Sequence, residues 1–294
     1  MTSDVANSGT IYYVDYVGPI VPYCTGGSGA KTYNSAHVTY PLTLTLTSAQ
    51  TAGQIYDIFF FDDTIHGAWQ IGLGPAWSSS SSRGTGAGTT QISQNYLDGV
   101  WRNDQSFTPV NGTITLPTLS ACNGTYLGSV YITGTGTTSM NMSPAAAAGG
   151  TNNFVGLYNA YNRVPIISMS SDSTTSWTYA TPTWRAADNS TSNRVTYLDG
   201  LAQSSVTASY VIETDTSNGV VGVVGITLDS ATASPAQPIG VTSLTTAQAI
   251  TGYGRYQPQL GVHFAQAMEY SGGATTTFTG NGVAFSGLML EMED

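Results

Sequence analysis

The residues best placed to do chemistry are two neighbouring carboxylates and a histidine in the segment FFFDDTIHGAW, namely Asp62, Asp63 and His66. Paired carboxylates can act as a general acid and base, and Asp with His can bind a metal ion. Adjacent residues of a strand point to opposite faces, however, so Asp62 and Asp63 cannot share a site unless the turn bends them. Acidic residues are also common in hairpin turns. We therefore predict an ordinary hairpin turn here.

A second stretch, residues 157–194, is rich in arginine and in aromatic residues. It holds three of the seven basic residues of the chain and several large rings. The residues concerned are Arg163, Arg185, Arg194, Trp177, Tyr179 and Trp184. In one interpretation, the two tryptophans and Tyr179 form a ligand-facing platform on which sugar rings stack.

The other interpretation of this stretch is structural. Trp177 and Tyr179 are two residues apart and would share one face of a strand, whereas Trp184 follows Pro182, which restricts its segment to an edge or a bend. Arginine suits a framework role because its planar fork binds carboxylates or carbonyls through paired hydrogen bonds. We favour the structural interpretation and predict no catalytic residue, no metal site and no cofactor.

Composition narrows the classes of protein further. Charged residues are 8% of the 294-residue chain, the formal net charge is −10, and Lys31 is its single lysine. Binding to nucleic acid needs clustered basic side chains, so we predict no nucleic-acid partner. No apolar run approaches the length of a membrane span, and the segment MTSDVANSGT lacks the features of a signal peptide. Cys24 and Cys122 could form one disulfide, but we predict two buried free thiols.

The elements that must position these residues are strands. The segment PLTLTLT alternates apolar and hydroxyl side chains, IYDIFFF suits a strand buried on both faces, and AWQIGL could pair with it as a hairpin. In SVTASYVIET the residues Val206, Ala208, Tyr210 and Ile212 fall on one face. The dipeptide Asn218-Gly219 predicts a tight hairpin turn to VVGVVGITL. The loop 77–91 is rich in Ser and Gly and is predicted to be exposed and mobile.

These patterns predict a mostly β protein made of antiparallel β-sandwich or jelly-roll-like lobes, with short helical turns. We place an N-terminal β-rich lobe over residues 1–142, a linker or long loop over 143–153, and a C-terminal β-sandwich lobe over 154–294. The linker is predicted there because small residues and glycines replace any apolar periodicity.

The arginine and aromatic stretch also carries a resemblance. The blocks LYNAYNRVP and DSTTSWTYATPTWRAAD, with TIYYVDYVGPIVPY, YDIFFFDD and VVGVVGITLDS elsewhere, resemble a family of poorly characterised tailed-bacteriophage virion proteins of tail-fibre or head-appendage type. The resemblance implies a structural role without catalysis. Its signature positions are Arg163, Pro165, Trp177, Tyr179, Trp184, Arg185 and Arg194.

We expect such a protein to work as an oligomer on the surface of the virion. Lysine and inward-pointing charges normally protect exposed sheet edges, and this chain has few of them, so burial against identical subunits would protect its edges. The resemblance implies a homotrimer that docks on capsid or tail proteins, with host-surface glycans as a further partner. The expected location is the virion, assembled in the host cytoplasm. Two alternatives stay open, a carbohydrate-binding adhesin and a glycan depolymerase.

Overall fold

The fold is built almost entirely of β-strands. The computed structural model describes residues 4–14, 18–26, 31–95, 97–281 and 286–293. In these ranges the regular elements are strands and one 3-10 turn, Ala187–Asn189. The predicted mostly β, sandwich-like class is therefore confirmed. The predicted antiparallel pairing dominates, but some of the pairs in these ranges are parallel, as at Ala145–Ala147 with Ser170–Asp172 and Asn152–Val155 with Arg194–Tyr197.

The chain divides into two compact units, each assembled from more than one stretch of sequence. The N-terminal unit comprises Val5–Ser139 and Gly156–Arg163, and the C-terminal unit comprises Met1–Asp4, Met140–Val155 and Val164–Asp294. The segment 143–153, predicted to be a linker, instead contributes strands to the C-terminal unit. Ala145–Ala147 pairs in parallel with Ser170–Asp172, because backbone hydrogen bonds need no particular side chain.

The N-terminal unit contains a six-stranded sheet and two two-stranded sheets. Its strands are β1 (Val5–Ser8), β2 (Thr10–Tyr13), β3 (Ile20–Thr25), β4 (Thr32–His37), β5 (Leu42–Thr45), β6 (Ile55–Asp63), β7 (Ala68–Ala76), β8 (Ile92–Gln94), β9 (Trp101–Asn103), β10 (Thr125–Tyr131), most of β11 (Thr138–Met140), and β14 (Leu157–Asn159). The larger sheet runs β7-β6-β10-β9-β8, with β14 also paired to β10, while β2 pairs with β5 and β3 with β4.

The core of this unit follows from the apolar runs seen in the sequence. Strand β6 is buried at eight of its nine positions, as predicted for a strand covered on both faces, and it forms the predicted hairpin with β7. Phe60 packs with Leu44, Ile71 and Val130 in one apolar cluster. Each such side chain, when fully buried, stabilises the fold by about 1.5–3 kcal/mol.

The two cysteines form a disulfide, so the prediction of two free thiols is wrong. Cys24 at the end of β3 is bonded to Cys122, with a Cα–Cα distance of 5.8 Å and a sequence separation of 98 residues. The two partners are brought together by tertiary contacts near the start of β10, where the hydroxyl of Thr125 donates to the carbonyl oxygen of Pro22 at 2.6 Å. Local sequence contains no sign of so distant a pairing.

The C-terminal unit is a sandwich of two sheets. Its strands are β12 (Ala145–Ala147), β13 (Asn152–Val155), β15 (Pro165–Asp172), β16 (Trp177–Tyr179), β17 (Arg185–Ala186), β18 (Arg194–Asp199), β19 (Val206–Thr216), β20 (Gly222–Leu228), β21 (Gly240–Thr242), β22 (Gln248–Tyr256), β23 (Gly261–Ser271), β24 (Thr276–Thr279) and β25 (Ser286–Glu293). One sheet includes β13-β18-β23-β20-β21 with β17 on β23, and the other runs β12-β15-β25-β19-β24-β16 with β22 on β19.

Strand β19 shows how the sequence pattern sets the interior of the sandwich. Its burial alternates along the strand, and Val206, Ala208, Tyr210 and Ile212 all point inward, as predicted. The predicted hairpin after it is wrong in one respect. Asn218 and Gly219 do adopt positive φ angles of 56° and 69°, but β19 and β20 belong to different sheets. The turn therefore links the two layers, because strand partners are chosen by tertiary packing.

Candidate functional site

Two residues of the arginine and aromatic stretch, Arg185 and Trp177, meet at a buried carboxylate in the C-terminal unit. Glu269 lies in β23 and is fully buried, and its register partner in β17 is Arg185. Nε and Nη2 of Arg185 both lie 2.6 Å from Oε1 of Glu269. Trp177, in the opposite sheet, donates its indole N–H to Oε2 at 2.7 Å. We call Glu269, Arg185 and Trp177 the Glu269 clamp.

Neighbouring groups hold this clamp in place. The ring of Tyr179 lies over the guanidinium of Arg185, 3.8 Å from Cζ to the ring centroid, and its hydroxyl donates to the carbonyl oxygen of Thr183 at 3.0 Å. The buried ring of Trp177 stacks on Phe278 with the centroids 6.0 Å apart. Trp177 therefore does not present a face for a ligand, whereas Tyr179 is half-buried. The contacts are those of a framework.

The environment of Glu269 opposes its ionisation. Burial raises the pKa of the Glu269 carboxyl to about 7, although the hydrogen bond from Trp177 and the charge of Arg185 both lower it. Nearby, burial followed by the charge of Asp172 raises the pKa of Asp188. Asp172 is itself buried and accepts hydrogen bonds from the backbone N–H groups of Gly149 and Thr174, at 3.0 and 2.8 Å.

This raised pKa makes stability depend on pH. The folded chain keeps the proton of Glu269 to higher pH than the unfolded chain, so its stabilising contribution is present below the usual glutamate pKa and is lost as pH rises through about 7. We expect the free energy of unfolding of the C-terminal unit to fall by up to about 3 kcal/mol between pH 5 and pH 8. Urea unfolding at both pH values measures this change.

The variant Glu269→Gln provides the control for this pH dependence. Glutamine keeps an oxygen to accept from Arg185 or Trp177 but has no proton to lose in this range. Burial lowers the pKa of His263, but the hydrogen bond and charge of Asp229 help to raise it above its usual value, and this gives a residual slope of the same sign. A variant as pH-dependent as the wild type would exclude Glu269 as the cause.

A second buried carboxylate, in the N-terminal unit, is held in the same way. Asp57 in β6 accepts Nε of Arg83 at 2.6 Å and the indole N–H of Trp77 at 3.0 Å. Hydroxyl groups of Thr90 and Ser129 donate to its two oxygens at 2.8 and 2.7 Å. We call Asp57, Arg83 and Trp77 the Asp57 clamp. The Asp57 clamp was not predicted from the sequence. It anchors the loop 77–91, so the prediction that this loop is mobile throughout is wrong.

That loop is exposed along its middle but anchored at several points. Residues 78–82 are exposed, whereas Trp77, Arg83 and Thr90 are buried against Asp57. The guanidinium of Arg83 also lies 4.3 Å from the centroid of the Trp77 ring. One sequence signal could have revealed the site, namely an aspartate inside IYDIFFF. A carboxylate in a strand buried on both faces must find a cationic partner.

In both clamps the carboxylate oxygens are already occupied by donors. At Glu269, Oε1 accepts from Arg185, and Oε2 accepts from Trp177 and from the backbone N–H of Asp188 at 3.2 Å. A general base or nucleophile needs a lone pair directed at the substrate. The arrangement instead stabilises the junction of strands and loops around each carboxylate.

The acidic turn behaves as the sequence predicted. Asp62 is exposed and Asp63 is buried, so the two carboxylates lie on opposite faces of β6. Oδ1 of Asp63 accepts the backbone N–H groups of Ile65 and His66, and its Oδ2 lies 2.6 Å from Nδ1 of His66. These contacts close the β6–β7 hairpin. Within the ranges that the structure describes, no group of His, Cys, Asp and Glu could hold a metal ion.

The remaining predicted residues are dispersed. Trp184 packs against Tyr270 with ring centroids 5.5 Å apart, and the guanidinium of Arg194 lies 4.8 Å from the ring centroid of Phe264. Pro165 is exposed at the first position of β15, and the half-buried Arg163 belongs to the N-terminal unit. Trp184 and Arg194 thus pack on aromatic rings of β23.

Comparison with known proteins identifies no family. No model of a protein family matches the chain, and no curated protein does. A search of solved structures finds a Bacillus thuringiensis Cry1Da tryptic core variant with a TM-score of 0.22 and 11% identity, covering 98% of this chain and 51% of that one. It also finds the insecticidal delta-endotoxin Cry8Ea1 of Bacillus thuringiensis, with a TM-score of 0.22, 8% identity, and coverage of 98% and 52%.

A third match is the structure of the Gx strain of infectious bursal disease virus, with a TM-score of 0.16, 10% identity, and coverage of 99% of this chain and 79% of that one. The chain spans about half the length of the two toxin structures. TM-scores this low carry no argument about function. Among the described residues no helix is long and apolar enough to cross a membrane.

Proposed function

We propose that this chain is a structural protein of a tailed-bacteriophage virion. It would form an oligomeric surface appendage of fibre, decoration, cement or collar type, and it would act by docking against other proteins without catalysis. The sequence resemblance described above supports the virion assignment. Donor-saturated carboxylates in both clamps support a framework role over glycan hydrolysis, which needs a free acid and base.

The observation that carries the oligomeric part of the proposal is an exposed face of the C-terminal unit. Strands β15, β25, β19 and β22 lie side by side and present alternate residues outward. Their register aligns two outward rows across the four strands, Ile167–Glu291–Thr207–Arg255 and Met169–Met289–Ser209–Tyr253.

Apolar side chains are prominent on this outer face. Ile167 is 48% exposed, Tyr253 is 42% exposed, Val211 is 39% exposed and Met289 is 37% exposed. The solvated face of an antiparallel sheet is usually polar. We call these four residues the apolar face.

A second copy of the chain is the occupant that suits the apolar face. Arg255 and Glu291 lie on the same face, on opposite sides of Thr207, so Arg255 of one copy can pair with Glu291 of the next. Head-to-tail pairing of this kind can close into a ring, as a cyclic trimer requires. The homotrimer is our preferred state because of the resemblance to phage appendages.

A single substitution tests this interface. Met289→Glu should weaken self-association by at least about a hundredfold, because a carboxylate would be buried without a partner in the contact. Sedimentation velocity over a range of concentrations measures the change. The side chain points outward in the isolated chain, so thermal stability of the monomer should shift little.

Val241→Glu is the matched control, since Val241 is also an exposed apolar residue but lies on β21 of the other sheet. It should leave association unchanged. A wild-type chain that stays monomeric at every concentration would refute the oligomeric proposal. Quantitative mass spectrometry of purified particles tests the virion assignment, which fails if the chain is absent from them.

A further inference from the structure

The N-terminal unit contains a cavity that neither clamp uses. It has a volume of about 700 Å³ and is lined mainly by tyrosines and asparagines. The residues that matter here are Tyr12, Tyr13, Tyr40, Tyr161, Asn159 and Asn162. We call it the tyrosine pocket. Its volume lies within the range of small-molecule sites, about 300–1,000 Å³.

The walls of the tyrosine pocket are held by contacts within the unit. Tyr13 at the end of β2 pairs with Leu42 of β5, and its ring lies 5.6 Å from that of Tyr40 at an angle of 57°. On the other side, Oδ1 of Asn159 accepts the backbone N–H groups of Tyr161 and Asn162, each at 3.1 Å. The phenol oxygen of Tyr161 accepts the backbone N–H of Trp101 at 3.1 Å.

These contacts orient the rings before any ligand arrives. Tyr161 is tied at both its backbone and its hydroxyl, yet the residue is 50% exposed. Tyr12 also lines the pocket and is 63% exposed. A ring that is fixed and still exposed, like that of Tyr161, loses little conformational entropy on binding, and this favours recognition by a flat aromatic surface.

We propose that the tyrosine pocket binds a neutral saccharide. None of the ten described residues that line it carries a charge, so these residues offer a charged ligand no counter-charge. Aromatic ring faces pack against the C–H groups of a pyranose, as they do against other apolar surfaces. Phenol and amide groups can both donate and accept hydrogen bonds, which matches the hydroxyl groups of a sugar.

This inference deepens the proposed function and rests on it for the source of the ligand, a glycan of the host surface. The binding chemistry itself rests on the pocket alone. The glycan would therefore bind at the tyrosine pocket and not at the platform predicted from Trp177, Tyr179 and Trp184. Trp177 is buried, and the ring of Tyr179 covers Arg185.

The experiment begins with a glycan array that carries neutral and acidic bacterial oligosaccharides, probed with the full chain. We expect binding to neutral oligosaccharides in preference to acidic ones. The strongest neutral oligosaccharide is then titrated by calorimetry against the wild type and the variants Tyr12→Ala and Tyr161→Ala. Each variant should bind at least about tenfold more weakly, because each removes an exposed ring face.

Two further variants sharpen the result. Tyr12→Phe keeps the ring and should lose less affinity than Tyr12→Ala. Ile65→Ala removes an exposed apolar side chain from the β6–β7 turn, away from the residues that line the pocket, and should bind like the wild type. A blank array, a preference for acidic glycans, or equal losses in Ile65→Ala and Tyr12→Ala would each overturn the inference.

Sedimentation of the same samples separates this inference from the proposed function. An oligomer that binds no neutral glycan would refute the saccharide site and leave the structural role standing. A monomer that binds neutral glycan through Tyr12 and Tyr161 would support the site and refute the oligomeric role, which would favour the adhesin alternative.

Discussion

Replacing Arg83 with alanine should lower the free energy of unfolding of the N-terminal unit by about 3–5 kcal/mol, the usual cost of leaving a buried charge without its partner. Asp57 is fully buried, and Arg83 supplies the positive charge that faces it, through Nε at 2.6 Å and Nη2 at 3.1 Å. The hydroxyl and indole donors that remain cannot neutralise the carboxylate. Urea unfolding monitored by tryptophan fluorescence measures the loss.

Two matched variants separate charge from packing at the Asp57 clamp. Arg83→Met keeps much of the side-chain volume over the Trp77 ring but removes the charge, so it should be nearly as unstable as Arg83→Ala. Adding Asp57→Asn to Arg83→Met should recover part of the stability, because no uncompensated charge is then buried. If the double variant is no more stable than Arg83→Met alone, lost packing and not charge explains the effect.

Removing the disulfide should produce the second large effect. The bond between Cys24 and Cys122 closes a loop spanning 98 residues. A cross-link over a loop of that length stabilises the folded state by up to about 4.7 kcal/mol, because it restricts the conformations of the unfolded chain. The double variant Cys24→Ser/Cys122→Ser should therefore unfold at a much lower temperature. Differential scanning calorimetry with and without a reducing agent measures the change.

The reducing agent supplies the internal control for that experiment. The wild type should shift down toward the double variant when reduced, and the double variant should not respond. Titration of thiols under denaturing conditions should find two only after reduction. If the untreated protein has two free thiols and its melting temperature does not change on reduction, the disulfide is not formed.

Local patterns predicted the strands well because the order of apolar and polar residues sets which positions of a strand are buried. The unbroken burial of β6, the alternating burial of β19 and the alternation of Leu44 and Leu46 all follow from that order. The sequence also singled out residues 157–194 for their arginines and aromatic rings. The structure gives a physical reason, because Trp177 and Arg185 from this stretch both bind Glu269.

What the sequence could not supply is the identity of distant partners. Glu269 lies 84 residues from Arg185, and Asp57 lies 26 residues from Arg83. The disulfide spans a still longer separation, and the turn at Asn218 joins two sheets. In each case the local chemistry was visible, but the partner was chosen by the packing of the whole unit.

The way the two units divide the chain limits how the protein can be shortened or fused. Strand β14 returns to pair with β10 after the chain has already contributed residues 140–155 to the other unit. A gene fragment that stops at residue 142 would lack β14, and one that starts at residue 164 would lack β13, the parallel neighbour of β18. Neither unit is a contiguous cassette, so recombination can exchange them intact only as a pair.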